Sequence, residues 1–136
     1  MTINAEQAIW LAGLITRLIT DIEHSPGMTI EVDENPELWV QIVPEADNET
    51  QKIKGFILNY PYRDRSVEPL EKMAEVDLTP PPDTRIEEWA PGGFARVWIR
   101  PDVPLVGLAH FSIDVLHRIV EADEKAELAV RIEYGY

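Results

Sequence analysis

Cysteine is absent from the chain. Disulfides, thiolate metal sites and cysteine nucleophiles are therefore excluded, a usage that fits the cytoplasm. Cations are scarce: 12 Lys and Arg stand against 25 Asp and Glu, for a formal net charge of −13. A body this acidic repels the phosphate backbone and gains nothing from counterion release, so neither nucleic acid nor an anionic membrane is an expected partner. Long apolar runs are missing as well. The run from Ile9 to Ile15 meets Arg17 and no basic segment precedes it, so it reads as neither a signal peptide nor a membrane span, and the mature chain is expected to begin at or near Met1. No repeat, low-complexity tract, Gly-rich phosphate loop, nucleophile elbow or HExxH pattern occurs. The sequence therefore calls for no catalytic residue and no cofactor.

What remains is enough for a folded body. With 136 residues, 45% of them hydrophobic, and four Trp, the chain can bury one core, and residues 1–136 read as one domain. The acidity reads first as a device for solubility; it would also attract a basic polypeptide, or mimic nucleic acid toward a basic enzyme.

Periodicity supplies the elements. Asn4, with Gln7 three positions on, has the form of a helix N-cap and its reciprocal partner. A long helix over Ala5 to Glu23 follows, with Ala8, Leu11, Ile15, Leu18 and Ile22 on one face and Ser25-Pro26-Gly27 ending it. The period then drops to two. Met28, Ile30 and Val32 alternate with polar residues, and after Asp33 to Pro36 a second strand over Leu38 to Val43 completes a hairpin. Ile53 to Tyr60 is a third strand, with Phe56, Leu58 and Tyr60 on one face. Ser66 is positioned to cap a short helix that carries Pro69 in its first turn and Val67, Leu70 and Ala74 on one side. Pro80-Pro81-Pro82 makes a stiff connector. Arg85 to Trp89 reads as an edge strand, and Phe94 to Arg100 as a strand entered through Gly92-Gly93. Asp102 is expected to cap a long helix with two apolar rows, Leu105, Leu108, Val115 and Ile119 beside Val106, Ala109, Ile113, Leu116 and Val120. Leu128, Val130, Ile132 and Tyr134 alternate in a closing strand. The expected fold is α+β: an antiparallel sheet of five to six strands packed against a long N-terminal and a long C-terminal helix, with a short middle helix, in the order α-β-β-β-α-β-β-α-β.

Three side-chain constellations bear on chemistry. His110, Asp114 and His117 recur at i, i+4 and i+7, a spacing that can bring two imidazoles and a carboxylate to one metal. The plainer reading, which we take, is a solvated polar stripe with Asp114–Arg118 and His117–Glu121 ion pairs. The carboxylates between Glu31 and Glu37, and between Glu45 and Glu49, lack calcium-loop spacing and read as acidic turns. His24 sits at a helix C-terminus, where a cation is favoured. In the strand after Gly93, Phe94, Arg96, Trp98 and Arg100 share one side while Ala95, Val97 and Ile99 take the other. An aromatic and cationic row of this kind suits a protein interface, and intrachain stacking and cation–π packing form the plainer reading beside it. Trp89 is the further candidate for a partner-binding role.

The segments GFILNYPY, LEKMAEVDLTPPP and FARVWIRPDVPLVGLAHFSIDVLHRIVEADEKAELAVRIEY resemble the third strand, the short helix with its proline-bearing connector, and the aromatic strand, long helix and last strand of the type III secretion chaperone-like superfamily, within it the YbjN-like and TY-Chap domains. The resemblance implies homodimerisation and a chaperone-like or scaffold role, and brings no catalytic residues. The leading expectation is thus a noncatalytic, cytoplasmic protein-binding module that holds an extended polypeptide client along sheet edges and apolar grooves. An acidic antitoxin-like or immunity protein that neutralises a basic effector is the alternative, and a metal-dependent enzyme using His110, Asp114 and His117 the third.

Overall fold

A computed structural model describes residues 5–135. The chain runs through α1 (Ala5–Thr20), a 3-10 turn (Ile22–His24), β1 (Pro26–Val32), β2 (Asn35–Ala46), β3 (Ile53–Pro61), α2 (Pro69–Glu75), β4 (Arg85–Ala90), β5 (Phe94–Ile99), α3 (Leu105–Arg118) and β6 (Leu128–Tyr134). The six strands form one antiparallel open sheet in the order β4-β5-β3-β2-β1-β6. The fold is therefore α+β, with six strands and three α-helices among the described residues.

Period two decides which side of the sheet is covered. Met28 and Ile30, Val40 and Ile42, Phe56, Leu58 and Tyr60, and Ala95, Val97 and Ile99 are all buried on one face. Across that face lie α1, through Ala8, Leu11, Ile15 and Leu18, and α3, through Leu108, Ala109, Ile113, Val115 and Leu116. Each fully covered Leu or Ile contributes about 1.5–3 kcal/mol relative to an exposed one, so these two facing rows dominate stability. Phe111 and Ser112 are buried too, which makes the α3 stripe broader than two rows, while Val106, expected within it, is exposed.

Several boundaries differ from the sequence reading, each for a local reason. The Asn4 cap lies outside the described residues. Helix α1 stops at Thr20 rather than Glu23. The hydroxyls of Thr16 and Thr20 each bond the carbonyl four residues back at 3.0 Å. Pro26 then bars Ser25 from continuing a helix, and Ser25 turns into the left-handed region at φ 51°. Strand β2 outruns its apolar core, from Asn35 to Ala46, because main-chain pairing with β1 and β3 continues through irregularities at Glu31/Val32 and Glu45/Ala46. Glu68, not Ser66, caps α2 by accepting from the Glu71 amide; the buried side of α2 is Pro69 and Met73, and Ala74 is exposed. Asp102 does not cap α3. Pro104 holds the N-cap position without a side-chain bond, and Asp102 is drawn to Arg100 instead.

Candidate partner-binding face

Among the described residues no helix lies over the sheet's other face. One residue from each strand lines up across it: Arg131, Thr29, Gln41, Asn59, Arg96 and Glu88, in the strand order β6, β1, β2, β3, β5, β4. Arg96 donates through Nε to Asn59 Oδ1 at 2.8 Å and through Nη1 to Glu88 Oε1 at 3.1 Å. Asn59 Nδ2 donates to Gln41 Oε1 at 3.0 Å, and Gln41 Nε2 to Thr29 Oγ1 at 3.5 Å. A guanidinium can only donate, so the Asn59 oxygen must face Arg96; its NH2 then faces Gln41, and the amide orientations follow in turn. Although the face is open, Thr29 and Asn59 are only 5% and 9% exposed. From Thr29 to Glu88 the row is a directional chain of bonds, while Arg131 at its end pairs with Glu133 at 2.8 Å and Glu31 at 3.6 Å.

Aromatic side chains border the row. The Trp98 indole packs on the main chain at Gly55 with its Nε1 nearest, so close that a Cβ there would stand 2.0 Å from that atom. Above the same ring sits the Arg85 guanidinium, 4.1 Å from the centroid. Phe94 has Arg96 at 5.8 Å from its ring. Trp39, on β2, lines a hollow of about 230 Å³ together with Thr29, Glu31, Pro36, Gln41 and Arg131. On the other side of Gln41 the face dips into a hollow of about 410 Å³, with Val43 and Ile57 paired across strands, the amides and Arg96 of the row, and the carboxylates of Glu45, Glu87 and Glu88. Three carboxylates against one guanidinium make this hollow anionic.

Of the five residues singled out in sequence, the structure brings Phe94, Arg96 and Trp98 together here. Arg100 falls just past the end of β5, held by Asp102 at 2.8 Å and Asp83 at 3.1 Å. Hydrogen bonding to Arg100 holds the Asp102 carboxyl below the usual carboxylate range and raises the guanidinium in turn. Trp89 lies on the opposite, helix-covered side. It pairs with Ala95, packs against Tyr62 at 6.3 Å between ring centroids, and keeps a buried Nε1 without a hydrogen-bond partner. The cause is a bulge at Glu87: β4 carries one extra residue between Ile86 and Glu88, which flips every later side chain. Counting by two along an unbroken strand would set Trp89 opposite Phe94. The same bulge turns both Glu87 and Glu88 toward the hollow.

His110, Asp114 and His117 do not form a ligand set. Among the described residues no three His, Asp or Glu side chains are placed to hold an ion. The expected i, i+4 ion pairs of α3 do not form either. His117 Nδ1 donates to the Ala122 carbonyl at 3.1 Å while its Nε2 is buried without a partner, and Arg118 donates to the Asp77 carbonyl at 2.9 Å, tying α3 to the end of α2. In the acidic turn after β2, Asp47 accepts from the amides of Glu49 and Thr50 at 2.9 and 3.0 Å, and these bonds lower its pKa. His24 closes the 3-10 turn, 3.3 Å from Glu23 and edge-on to the Tyr134 ring.

Sequence reasoning did not single out Gln41, Asn59, Glu87 and Glu88 for this face. A signal was there for the two amides: each interrupts a strand that is otherwise apolar. Among the described residues no helix is long and apolar enough to cross a membrane. No protein-family model, no curated protein and no solved structure matches the chain.

Proposed function

We propose that the chain is a noncatalytic, cytoplasmic protein-binding module with a chaperone-like or scaffold role, and that its open sheet face receives an extended, basic segment of a client. The observation that carries this reading is the anionic hollow built beside a rigid polar row. Its donors and acceptors are already held in place, so little ordering is left to oppose binding. Glu45 has no ion-pair partner among the described residues and faces the hollow, ready for a Lys or Arg side chain. Val43, Ile57 and Trp98 offer apolar ground for the residues between. The net charge of −13 would speed the approach of a basic segment. The resemblance to secretion-chaperone-like domains agrees with the role.

The same charge favours one second reading, an acidic immunity or antitoxin-like protein that covers a basic effector. Heat capacity and the slope of the salt dependence separate the two. Neutralisation by charge alone predicts an affinity that falls steeply with ionic strength with little heat-capacity change, whereas a basic segment captured on apolar ground beside a few carboxylates predicts a shallower salt dependence and a clearly negative heat-capacity change.

Four indole N–H groups serve as reporters, Trp39 and Trp98 on the open face and Trp10 and Trp89 on the helix side. In an NMR titration with a peptide of alternating Lys and Val, the signals of Trp39, Trp98 and the side-chain amides of Gln41 and Asn59 should move, and those of Trp10 and Trp89 should not. Glu45→Lys with Glu88→Lys should abolish the response. Shifts confined to Trp10, or a response indifferent to the double charge reversal, would sink the reading.

A further inference from the structure

The sheet has two outer strands, and they are finished differently. Strand β4 carries the Glu87 bulge and the charged side chains of Arg85, Glu87 and Glu88, devices that discourage a further strand. Strand β6 has neither bulge nor proline, and pairs with β1 without a register shift from Pro26↔Tyr134 to Val32↔Leu128.

The direction of its free main-chain groups can be read from the bonds at its two ends. The Asp33 amide donates to the Glu127 carbonyl at 2.9 Å, and the Gly135 amide to the Ser25 carbonyl at 2.9 Å. In an antiparallel pair the bonded residues alternate, so Ala129, Arg131 and Glu133 also turn their N–H and C=O toward β1. Leu128, Val130, Ile132 and Tyr134 therefore aim theirs outward. Their side chains lie on the helix side, where Leu128 and Val130 line an apolar hollow of about 160 Å³ with Trp10, Leu11 and Ile113. Trp10 and Tyr134 remain 57% and 52% exposed beside this edge.

We infer that this edge is the seat of a second copy of the same chain, paired antiparallel, β6 to β6, about a two-fold axis through Ile132. Three symmetric registers keep like faces together and pair five or more residues of β6, and charge selects among them. Centring on Val130 sets Glu133 against Glu127 twice, and centring on Arg131 sets two guanidiniums face to face. Centring on Ile132 sets Arg131 opposite Glu133 of the other copy, twice. It also lays Val130 opposite Tyr134 twice, and it uses the outward main-chain groups of Val130, Ile132 and Tyr134. The open faces of the two copies then continue as one sheet, with the bonded part of each polar row, Thr29 to Glu88, left clear. The pairing stands or falls apart from the client-binding reading, because it uses none of the residues of the anionic hollow.

The test uses the whole chain at physiological ionic strength, where screening over about 8 Å weakens the mutual repulsion of two acidic bodies more than contact pairs. In sedimentation equilibrium the wild type should dimerise. Arg131→Glu alone and Glu133→Arg alone should each weaken the dimer about tenfold or more, since each replaces two attractive cross-strand pairs by two repulsive ones. An equimolar mixture of these two variants should dimerise again, because every pair across the seam becomes attractive. As the chain has no cysteine, single substitutions report the register. Ile132→Cys should cross-link to itself under mild oxidation, at a hydrogen-bonded pair about 5.5 Å apart, and Val130→Cys should not. A wild type that stays monomeric at every concentration, a dimer indifferent to both reversals, or self-cross-linking of Val130→Cys in preference to Ile132→Cys would each overturn the inference.

Discussion

Arg96 Nε donates to Asn59 Oδ1 at 2.8 Å across the seam between β5 and β3, and this bond sets the sense of the polar row that spans the open face. Asn59→Ala would strip a nearly buried site of its middle member and leave the Gln41 oxygen and the Arg96 Nε–H facing a gap. The expected cost in urea unfolding is about 1–3 kcal/mol, the range for a buried polar group left unsatisfied. In a double-mutant cycle with Gln41→Ala the two losses should fall short of additivity by at least about 0.5 kcal/mol. Full additivity would mean that the row acts as separate pairs.

Gly55 and Trp98 make a second test, because only a residue without a Cβ lets the indole lie where it does. In Gly55→Ala the ring must swing off the strand and leave the Arg85 guanidinium, a contact worth about 0.5–1 kcal/mol at an exposed site. Stability should drop by about 1 kcal/mol and the Trp98 indole resonance should move, while the core side of β3 is undisturbed. In a Trp98→Ala background the same Gly55→Ala change should be neutral or slightly stabilising, since only the backbone effect of replacing glycine remains. An equal loss in both backgrounds would place the strain elsewhere.

The sequence and the structure agree where the pattern is local. Phe56, Leu58 and Tyr60 alternate inward as their spacing predicts, and Ala95, Val97 and Ile99 put Phe94, Arg96 and Trp98 on the other side. Trp89 could not be placed by counting, because a one-residue bulge at Glu87 leaves no mark in the periodicity yet reverses the face of all that follows. The polar row was equally hidden. Its members come from six strands, and only the pairing registers bring Gln41 beside Asn59 and Asn59 beside Arg96. The Asp102 cap failed through competition. A charge-assisted, two-pronged pair with Arg100 outweighs one bond to a helix amide, so the carboxylate serves the connector rather than α3.

Alkaline titration should expose the packing beneath α2. Burial pushes the Tyr62 phenol up to about 12, helped by the negative charges of Asp64 and Glu68, and burial raises that of Tyr60 as well. Tyr62 also donates its hydroxyl to the Val67 carbonyl. A phenol whose folded pKa exceeds its unfolded value of about 10 contributes its full stability below that pH and loses it as the pH climbs toward 12. Urea unfolding should therefore weaken progressively above about pH 10. Tyr62→Phe should cost about 0.5–1.5 kcal/mol at neutral pH, for the lost hydrogen bond, and flatten part of that alkaline decline. A Tyr62→Phe variant with an unchanged alkaline slope would refute the assignment.

At the acid end the sign reverses, and Asp64 is the group to follow. It accepts from the amides of Ser66 and Val67 at 2.9 and 3.0 Å and from the Ser66 hydroxyl at 3.2 Å, closing the turn between β3 and α2, with Lys72 at 3.5 Å. Those amide bonds, ahead of the Lys72 charge, hold its carboxyl below the ordinary range. A carboxylate depressed on folding contributes stability above its unfolded pKa, near 4, and loses it as the pH falls through the folded value. Asp64→Asn keeps one acceptor oxygen and removes the titration, so it should lower stability modestly at neutral pH and flatten the acid limb below about pH 4. Asp64→Ala removes the acceptor as well and should lower stability further at neutral pH while flattening the acid limb to the same degree. Urea unfolding of the three chains at neutral pH and in acid separates the two effects: equal stabilities at neutral pH with parallel acid limbs would show that the turn holds without this carboxylate.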